Sequence, residues 1–254
     1  MTIQQWWWQV SEMTLASLKS RYRKTITGML WVIANPLLMF GVQSLVFKKF
    51  LRLDVPDYYL FLLGGLIPWI FITQTLQMST PTFVNYTQLM KSFKIHPHVL
   101  IYSQILDNLI NFLLTFFILL VPTYFIHGMN FTHLLLLPLP LLSLVIAVTA
   151  MSSILSTLNV FFRDTNFVLG FLFSILFFLT PIFYPLEFMP REYHWIVTLN
   201  PVYHLISPVR DIVYGKFGAD FWHHLGLSYL CSLIVSVIAI SYWKLKRNDL
   251  YARL

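Results

Sequence analysis

Charged residues are scarce in this sequence, and their scarcity excludes an ordinary soluble fold. Only 11% of the 254 residues are charged, whereas 57% are hydrophobic. An average soluble domain carries roughly 25% charged residues. The apolar surplus indicates a polytopic, all-α membrane protein whose hydrophobic side chains face lipid.

Cysteine is almost absent as well, and the common nucleotide-binding and catalytic motifs are missing. Cys231 is the single cysteine, which excludes an internal disulfide and a cysteine-based metal site. The phosphate-binding loop G-x-x-x-x-G-K-[ST] does not occur, because the pair Gly215-Lys216 lacks the upstream glycine. Neither H-E-x-x-H nor G-x-S-x-G is present. We therefore expect no catalytic, metal or cofactor site in this chain.

Six runs are long and apolar enough to cross a bilayer as helices. A helix needs about 20 apolar residues to span the hydrocarbon core. Asp107 is the only charged residue within these runs, and the polar stretch 127–133 separates the third from the fourth. The predicted spans are residues 29–47, 58–78, 99–126, 134–158, 165–186 and 225–243. No small-residue cleavage site follows the first run, so we expect an N-terminus that is not cleaved as a signal peptide.

The positive charge of the chain is explained by membrane topology. The net charge is +7, and with six spans both termini lie on one side. Placing that side in the cytoplasm puts most of the Lys and Arg residues inside, as the positive-inside rule requires. The distribution therefore predicts cytoplasmic termini and removes the reason to expect a nucleic-acid partner.

Three segments outside the spans are too apolar for free loops. Residues 3–24 form an amphipathic pattern with Trp7, Trp8 and Leu15 on one face, which is typical of an interfacial helix. Residues 83–98 mix apolar and basic side chains on the inner side, which indicates a helix that docks against a partner. Residues 187–223, on the outer side, are too polar to span and too apolar to be free, which favours short re-entrant or interfacial helices.

Two polar features within or beside the spans have more than one interpretation. Asp107 is an intramembrane carboxylate and hence a candidate functional group. It lies near Asn108 and Asn111, so a structural hydrogen-bonding role is equally open. His96 and His98 flank a proline without a third ligand, so we expect no metal there.

The whole chain resembles the permease subunits of ATP-binding-cassette (ABC) exporters for bacterial polysaccharides, such as O-antigen, capsule and teichoic acid. Five segments carry the resemblance: Arg21-Tyr22 with Gly28, Leu30, Trp31, Asn35 and Pro36; GLIPW at 65–69; STLNVFFRD at 156–164; TPIFYPLEFMP at 180–190; and NPVYHLISPVRDIVYG at 200–215. Each segment is weak alone, but their common order and spacing are specific.

The resemblance implies a single transmembrane domain, residues 1–254, that works as a homodimer in the bacterial cytoplasmic membrane. It implies two cytoplasmic ATPase subunits that bind ATP and Mg²⁺, and a glycan substrate on undecaprenyl diphosphate. It also implies that residues 83–98 form the coupling segment, for which the candidates are Phe83, Tyr86, Phe93 and Ile95. The segment Pro185–Val213 resembles two short periplasmic gate helices, with Trp195 and Tyr203 as candidate gate residues.

Two further hypotheses concern the substrate. Arg21, Arg23 and Lys24 are candidates for binding a lipid diphosphate, although they could equally serve only to hold the N-terminus inside. Aromatic residues of spans one and five could line a dimeric channel and stack on sugars, although they could instead face lipid. These residues are Phe40, Phe47, Phe173, Phe177, Phe183 and Tyr184.

Three other functions stay open on the residues alone. An ABC permease for a drug or a small lipid would share this architecture. A secondary transporter would often show two similar halves, and none is evident here. A membrane glycosyltransferase would need acidic catalytic residues, which we do not find.

Overall fold

The computed structural model describes residues 2–23, 28–93, 95–128 and 131–253, with the side chains of residues 20–23, 28–30, 32, 251 and 252 left aside. Every regular element in this part of the chain is helical, so the expectation of an all-α fold is confirmed. The α-helices are α1 (Ile3–Arg23), α2 (Gly28–Ser44), α3 (Tyr58–Ser79), α4 (Thr82–Asn85), α5 (Thr87–Phe93), α6 (Pro97–His127), α7 (Pro138–Phe161), α8 (Thr165–Leu179), α9 (His194–Thr198), α10 (Pro201–Val213) and α11 (Ala219–Arg253).

Four helical stretches within the described residues are long and apolar enough to cross a membrane. They are Tyr58–Asn85, Pro97–His127, Phe131–Phe161 and Ala219–Leu250. The chain is thus a multi-pass membrane protein. The predicted first span falls on α2 and the π-helix Leu45–Phe50 that continues it, and the predicted fifth span falls on the shorter apolar helix α8. A count of six spans stays a prediction.

The fifth helix ends earlier than the sequence pattern indicates. The apolar run reaches residue 186, but α8 ends at Leu179. Thr180 is extended, with φ −97° and ψ 126°, because the proline ring that follows disfavours a helical conformation in the preceding residue. The chain therefore leaves the helix at Thr180 and passes through a non-helical stretch.

Helix α3 is the centre of the bundle. It packs against α2, α6, α7, α8 and α10, and most of its side chains are buried. Tyr58, Leu62 and Ile72 are fully enclosed in the main hydrophobic cluster. A second, smaller cluster joins α1, the 83–98 segment, the start of α6 and the end of α11. The main cluster runs along the whole of α3, and the smaller one lies where α1 and the end of α11 meet α6.

Small hydroxyl side chains join the long helices inside the bundle. Ser143 on α7 lies 2.6 Å from Ser228 on α11, hydroxyl to hydroxyl, and Ser232 donates to the carbonyl oxygen of Ser143 at 2.8 Å. Ser156 on α7 donates to the carbonyl oxygen of Ser79 on α3 at 2.7 Å. Close helix packing through small and polar residues is the usual means of association in a membrane, where the hydrophobic effect between helices is weak.

Candidate functional site

A buried arginine connects three separate segments at the end of the bundle that holds α9 and α10. Nη2 of Arg210, on α10, donates a hydrogen bond of 2.7 Å to the carbonyl oxygen of Pro181. The guanidinium carbon lies 4.3 Å from the ring centre of Phe61 on α3. Burial lowers the pKa of Arg210 to about 10, so the side chain keeps its charge at neutral pH. Arg210 thus holds α3, α10 and the 180–184 stretch together.

Two glycines of α3 provide the space for this arginine. A Cβ atom at Gly65 would lie 2.5 Å from Nη2 of Arg210 and 2.9 Å from the carbonyl oxygen of Ile182. A Cβ atom at Gly64 would lie 2.8 Å from Cα of Arg210. Real Cβ atoms do not make contacts this short, so neither position accepts a side chain without a shift of the backbone. The glycines allow α10 to approach α3 closely.

Two more hydrogen bonds hold the 180–184 stretch. The hydroxyl of Tyr58 donates to the carbonyl oxygen of Phe183 at 3.0 Å. Nδ2 of Asn200 donates to Oγ1 of Thr180 at 2.7 Å, while Oδ1 of Asn200 accepts from the amide of Val202 and caps α10. The non-helical stretch is therefore fastened to both α3 and the start of α10.

A cleft of about 830 Å³, lined by both apolar and charged side chains, opens beside Arg210. Its lining includes Tyr203, Asp211 and His224. Nδ1 of His224 lies 2.7 Å from Oδ2 of Asp211, which joins α10 to α11. Of the two candidate gate residues, Tyr203 lies in this cleft, whereas Trp195 is exposed on α9. The structure does not bring the two together, and their gating role stays a prediction.

Most of the candidate channel aromatics lie in one connected cluster. Phe47 stacks on Phe183 with ring centres 4.4 Å apart, and Phe177 lies 5.4 Å from Phe183. Trp69 on α3, to which sequence reasoning gave no role, contacts both Phe177 and Phe173. The end of the predicted first span therefore meets the fifth directly through Phe183, and Trp69 packs α3 against α8.

The other aromatic residues of spans one and five differ in their contacts and in their exposure. Tyr184 packs on Phe183, and Phe40 lies against the same core without a ring contact to any described residue. Phe173 and Phe183 are buried within the chain, whereas Phe171 and Phe178 are exposed on α8. A channel lined by the six candidates stays a prediction.

The predicted coupling segment, residues 83–98, divides into buried and exposed residues. Phe83 is fully buried, with its ring 6.2 Å from that of Trp243 on α11, and Ile95 is nearly buried in the same cluster. Tyr86 is 38% exposed and Phe93 is 70% exposed. Phe83 and Ile95 therefore anchor the segment, while Tyr86 and Phe93 are free to contact another protein.

Helix α1 is attached to α6 through a face that the amphipathic pattern did not single out. Val10 and Thr14 are buried, and the hydroxyl of Ser17 donates to Oδ2 of Asp107 at 2.8 Å. Asn111 donates to Oδ1 of the same carboxylate at 3.4 Å. Of the two interpretations of Asp107, these contacts favour the structural one. Trp7, Trp8 and Leu15 are exposed, as expected of a face that meets lipid.

The candidate headgroup residues lie at the border of the described part. Lys24 lies outside the described residues, and the side chains of Arg21 and Arg23 do so as well. Their backbone forms the last turn of α1. Within the described residues there is no group of three or more His, Cys, Asp or Glu side chains that could hold a metal ion.

Comparison with known proteins decides the family. Residues 9–214 match the family model of ABC-2 type transporters, which is well over half of the chain. The chain belongs to the ABC-2 type transporter family. The matched residues run from α1 to the end of α10, so the attached α1, the 83–98 segment and the Arg210 junction all belong to the family domain.

Individual relatives cover nearly the whole chain. An O-antigen export system permease protein RfbA of Klebsiella pneumoniae is 31% identical over 230 residues, 90% of this chain and 88% of the relative. The RfbA protein of Myxococcus xanthus is 30% identical over 204 residues, 78% of this chain and 76% of the relative. The polysialic acid transport protein KpsM of Escherichia coli is 25% identical over 250 residues, 94% of this chain and 93% of the relative. The resemblance seen in the sequence motifs is confirmed.

Sequence reasoning missed Arg210, Gly65 and Trp69 as individual residues, although all three lie in segments that it singled out. The sequence contained one indication that Arg210 is unusual. Its neighbours Val209, Ile212 and Val213 are apolar and recur at helical spacing. A lone arginine inside such a pattern is either at a helix edge or buried with a partner. Only the contacts with Pro181 show which applies.

Proposed function

We propose that this chain is the membrane-spanning subunit of an ABC exporter that carries polysaccharide, linked to undecaprenyl diphosphate, outward across the bacterial cytoplasmic membrane. The observation that carries the proposal is the similarity to O-antigen export permeases over 90% of the chain. The relative named for polysialic acid transport supports a polysaccharide as the common class of substrate.

The proposal includes a separate ATPase, with two copies that bind ATP and Mg²⁺. The exposed rings of Tyr86 and Phe93 support this, because large apolar groups on a short helix outside the bilayer need a protein partner. The segment is anchored on α11 and α6 through Phe83 and Ile95, so a push on the exposed residues reaches two long helices. The end of the molecule that holds residues 83–98 and both termini is then the cytoplasmic end.

The proposal also includes a homodimer with the channel between subunits. Exposed apolar side chains on α2 and α8 support it, among them Trp31, Phe167 and Phe171. The cluster around Phe177 and Phe183 belongs to the same pair of predicted spans, since Phe47 stacks on Phe183 and Phe177 lies on α8. Aromatic rings offer many similar, weak stacking contacts, which let a long polymer slide without stopping at one tight site.

Two further parts of the transport path complete the proposal. Arg21, Arg23 and Lys24 attract the diphosphate at the inner surface, where each basic residue contributes about 1 kcal/mol near an anionic membrane. Replacing Arg21 or Arg23 by Gln should weaken binding of undecaprenyl diphosphate in a flotation assay, whereas unchanged binding would leave these residues a purely topological role. The helices α9 and α10, with Trp195 and Tyr203, form the outer gate.

A reconstitution experiment tests the proposal. The chain and its ATPase subunit are placed in proteoliposomes that carry a fluorescent lipid-linked polysaccharide, and ATP-dependent protection of the glycan from a glycosidase is measured. We expect transport only with both subunits and ATP, and no ATP hydrolysis by this chain alone. Transport without the ATPase subunit would indicate a secondary transporter. Transport of a drug or a short lipid but not of the glycan would assign the chain to the other class of ABC permease.

A further inference from the structure

A largely apolar crevice is separate from the aromatic cluster, none of whose rings lines it. It has a volume of about 720 Å³ and is formed by α1, the start of α6, α7 and α11. Neither α2 nor α8 contributes to its lining, so it is separate from the proposed dimeric channel. It opens at the end of the molecule that carries the coupling segment and the C-terminal part of α11. A cavity of this size falls in the range of ordinary ligand sites.

The deep part of the crevice has no polar group in need of a partner. Thr149 and Ser153 of α7 donate to the carbonyl oxygens of Val145 and Thr149, one turn earlier on the same helix. Ser236 of α11 donates in the same way to Ser232. Since each hydroxyl is satisfied within its own helix, the walls present an apolar surface that suits a hydrocarbon chain.

The mouth of the crevice has a different character. The rings of Trp6 and Tyr102 meet with centres 4.9 Å apart, and those of Trp243 and His98 meet at 4.2 Å. Trp and Tyr are enriched at the level of lipid headgroups, where one end of the side chain is apolar and the other polar. The aromatic pairs therefore place the mouth at the membrane surface.

Lys244 lines the crevice at this mouth and is exposed. None of the ion pairs among the described residues involves it. The nearby Asp249 pairs instead with Lys246, at 3.6 Å. Burial lowers the pKa of His96, which lies at the same mouth, so His96 is neutral and Lys244 supplies the charge.

The dimensions match one lipid chain that hangs from the surface. Lys244 and Ser236 are both in the lining and lie eight residues apart on α11, so the lining extends about 12 Å along the helix axis at 1.5 Å per residue. A positive group at the headgroup level above an apolar slot of that length is complementary to a phosphate with an attached acyl chain. It is not complementary to a neutral sugar or to a basic peptide.

We propose that this crevice binds one anionic glycerophospholipid of the cytoplasmic leaflet, with an acyl chain between α7 and α11 and its phosphate at Lys244. The lipid holds α1 and the end of α11 against α6 and α7, beside the coupling segment. The site is distinct from the path of the transported glycan.

Native mass spectrometry on the full-length chain tests the site. The chain is titrated in detergent with dioleoyl phosphatidylglycerol and, separately, with dioleoyl phosphatidylcholine. We expect one retained phosphatidylglycerol per chain and much weaker retention of phosphatidylcholine. Lys244→Gln should weaken phosphatidylglycerol binding about fivefold, the factor that corresponds to about 1 kcal/mol per basic residue at an anionic surface. Ser153→Trp, which fills the slot, should abolish the retention.

Matched controls decide the outcome. Arg247→Gln removes the same charge from the same end of α11 but lies outside the lining, so it should change affinity less than twofold. Thermal unfolding of each variant shows whether it is folded. A photoactivatable phosphatidylglycerol gives a second readout, with cross-links expected within residues 145–153 and 236–244 of the native chain. Equal retention of the two lipids, unchanged retention in Ser153→Trp, cross-links elsewhere, or displacement by undecaprenyl phosphate at lower concentrations would each overturn the proposal.

Discussion

Nη2 of Arg210 lies 2.7 Å from the carbonyl oxygen of Pro181, and this hydrogen bond joins two family segments through residues that are 29 positions apart. The third partner is the glycine pair of α3, which leaves room for the guanidinium. The stretch that follows α8, the second half of α10 and the first half of α3 are therefore held in one arrangement. If α10 moves during transport, the residues around Pro181 must move with it, or the Arg210–Pro181 hydrogen bond must break.

Gly65→Ala should disrupt the junction. The added Cβ atom would meet Nη2 of Arg210 and the carbonyl oxygen of Ile182, and overpacking of this kind costs about 1–3 kcal/mol. The matched control is Gly170→Ala in α8, whose Cβ atom would meet nothing within 4 Å. Alanine stabilises a helix interior by about 1 kcal/mol over glycine, so the control should be neutral or stabilised. Unfolding in mixed micelles measures both, and equal stability of the two variants would contradict the proposed packing constraint.

Ser17 and Asp107 should be energetically coupled. The Ser17 hydroxyl donates to the carboxylate at 2.8 Å and attaches α1 to α6. Ser17→Ala and Asp107→Ala should each destabilise the protein, and the double variant should lose less than the sum, with a coupling energy of about 1 kcal/mol. Denaturant titration of the three variants checks this. If the stability losses of the two single variants were strictly additive, the structural role of Asp107 would be contradicted and a transport role would stay open.

Phe93 and Ile95 should respond differently to a negative charge. Phe93→Asp changes an exposed ring, so stability should change by no more than about 0.5 kcal/mol while glycan export uncouples from ATP hydrolysis. Ile95→Asp buries an unpaired charge in the second cluster and should reduce the amount of folded protein. Leu245→Asp, at an equally exposed position near the end of α11, is the control and should leave coupling intact. Normal export by the Phe93→Asp variant would show that residues 83–98 only connect two spans.

The double variant Phe177→Ala with Tyr184→Ala should slow export of long glycans more than that of short ones. Both rings adjoin Phe183, and a sliding polymer should lose stacking contacts in proportion to its length. Phe125→Ala, at an exposed position of α6 to which no transport role is assigned, serves as the matched control. Cysteine labelling at 177 and 184, in a Cys231→Ser background, gives the direct readout. Accessibility only to membrane-soluble reagents would show that the channel lies elsewhere.

The sequence by itself determined the class of this protein. Scarce charge and long apolar runs require a membrane environment, since helices satisfy their own backbone hydrogen bonds there. Five segments in a fixed order determined the family. The positions of the helices followed from apolar runs and prolines, except where Pro181 ended α8 within an apolar run.

Only the tertiary structure decided which residues of each segment face the protein. Periodicity shows that residues share a helix face, but not which distant helix covers that face. Phe83 and Phe93 are the same residue type in one short segment, yet one is buried against Trp243 and the other is exposed. Likewise the contact of Arg210 with Pro181 and Gly65 depends on how α10 meets α3, and that meeting depends on three segments far apart in the chain.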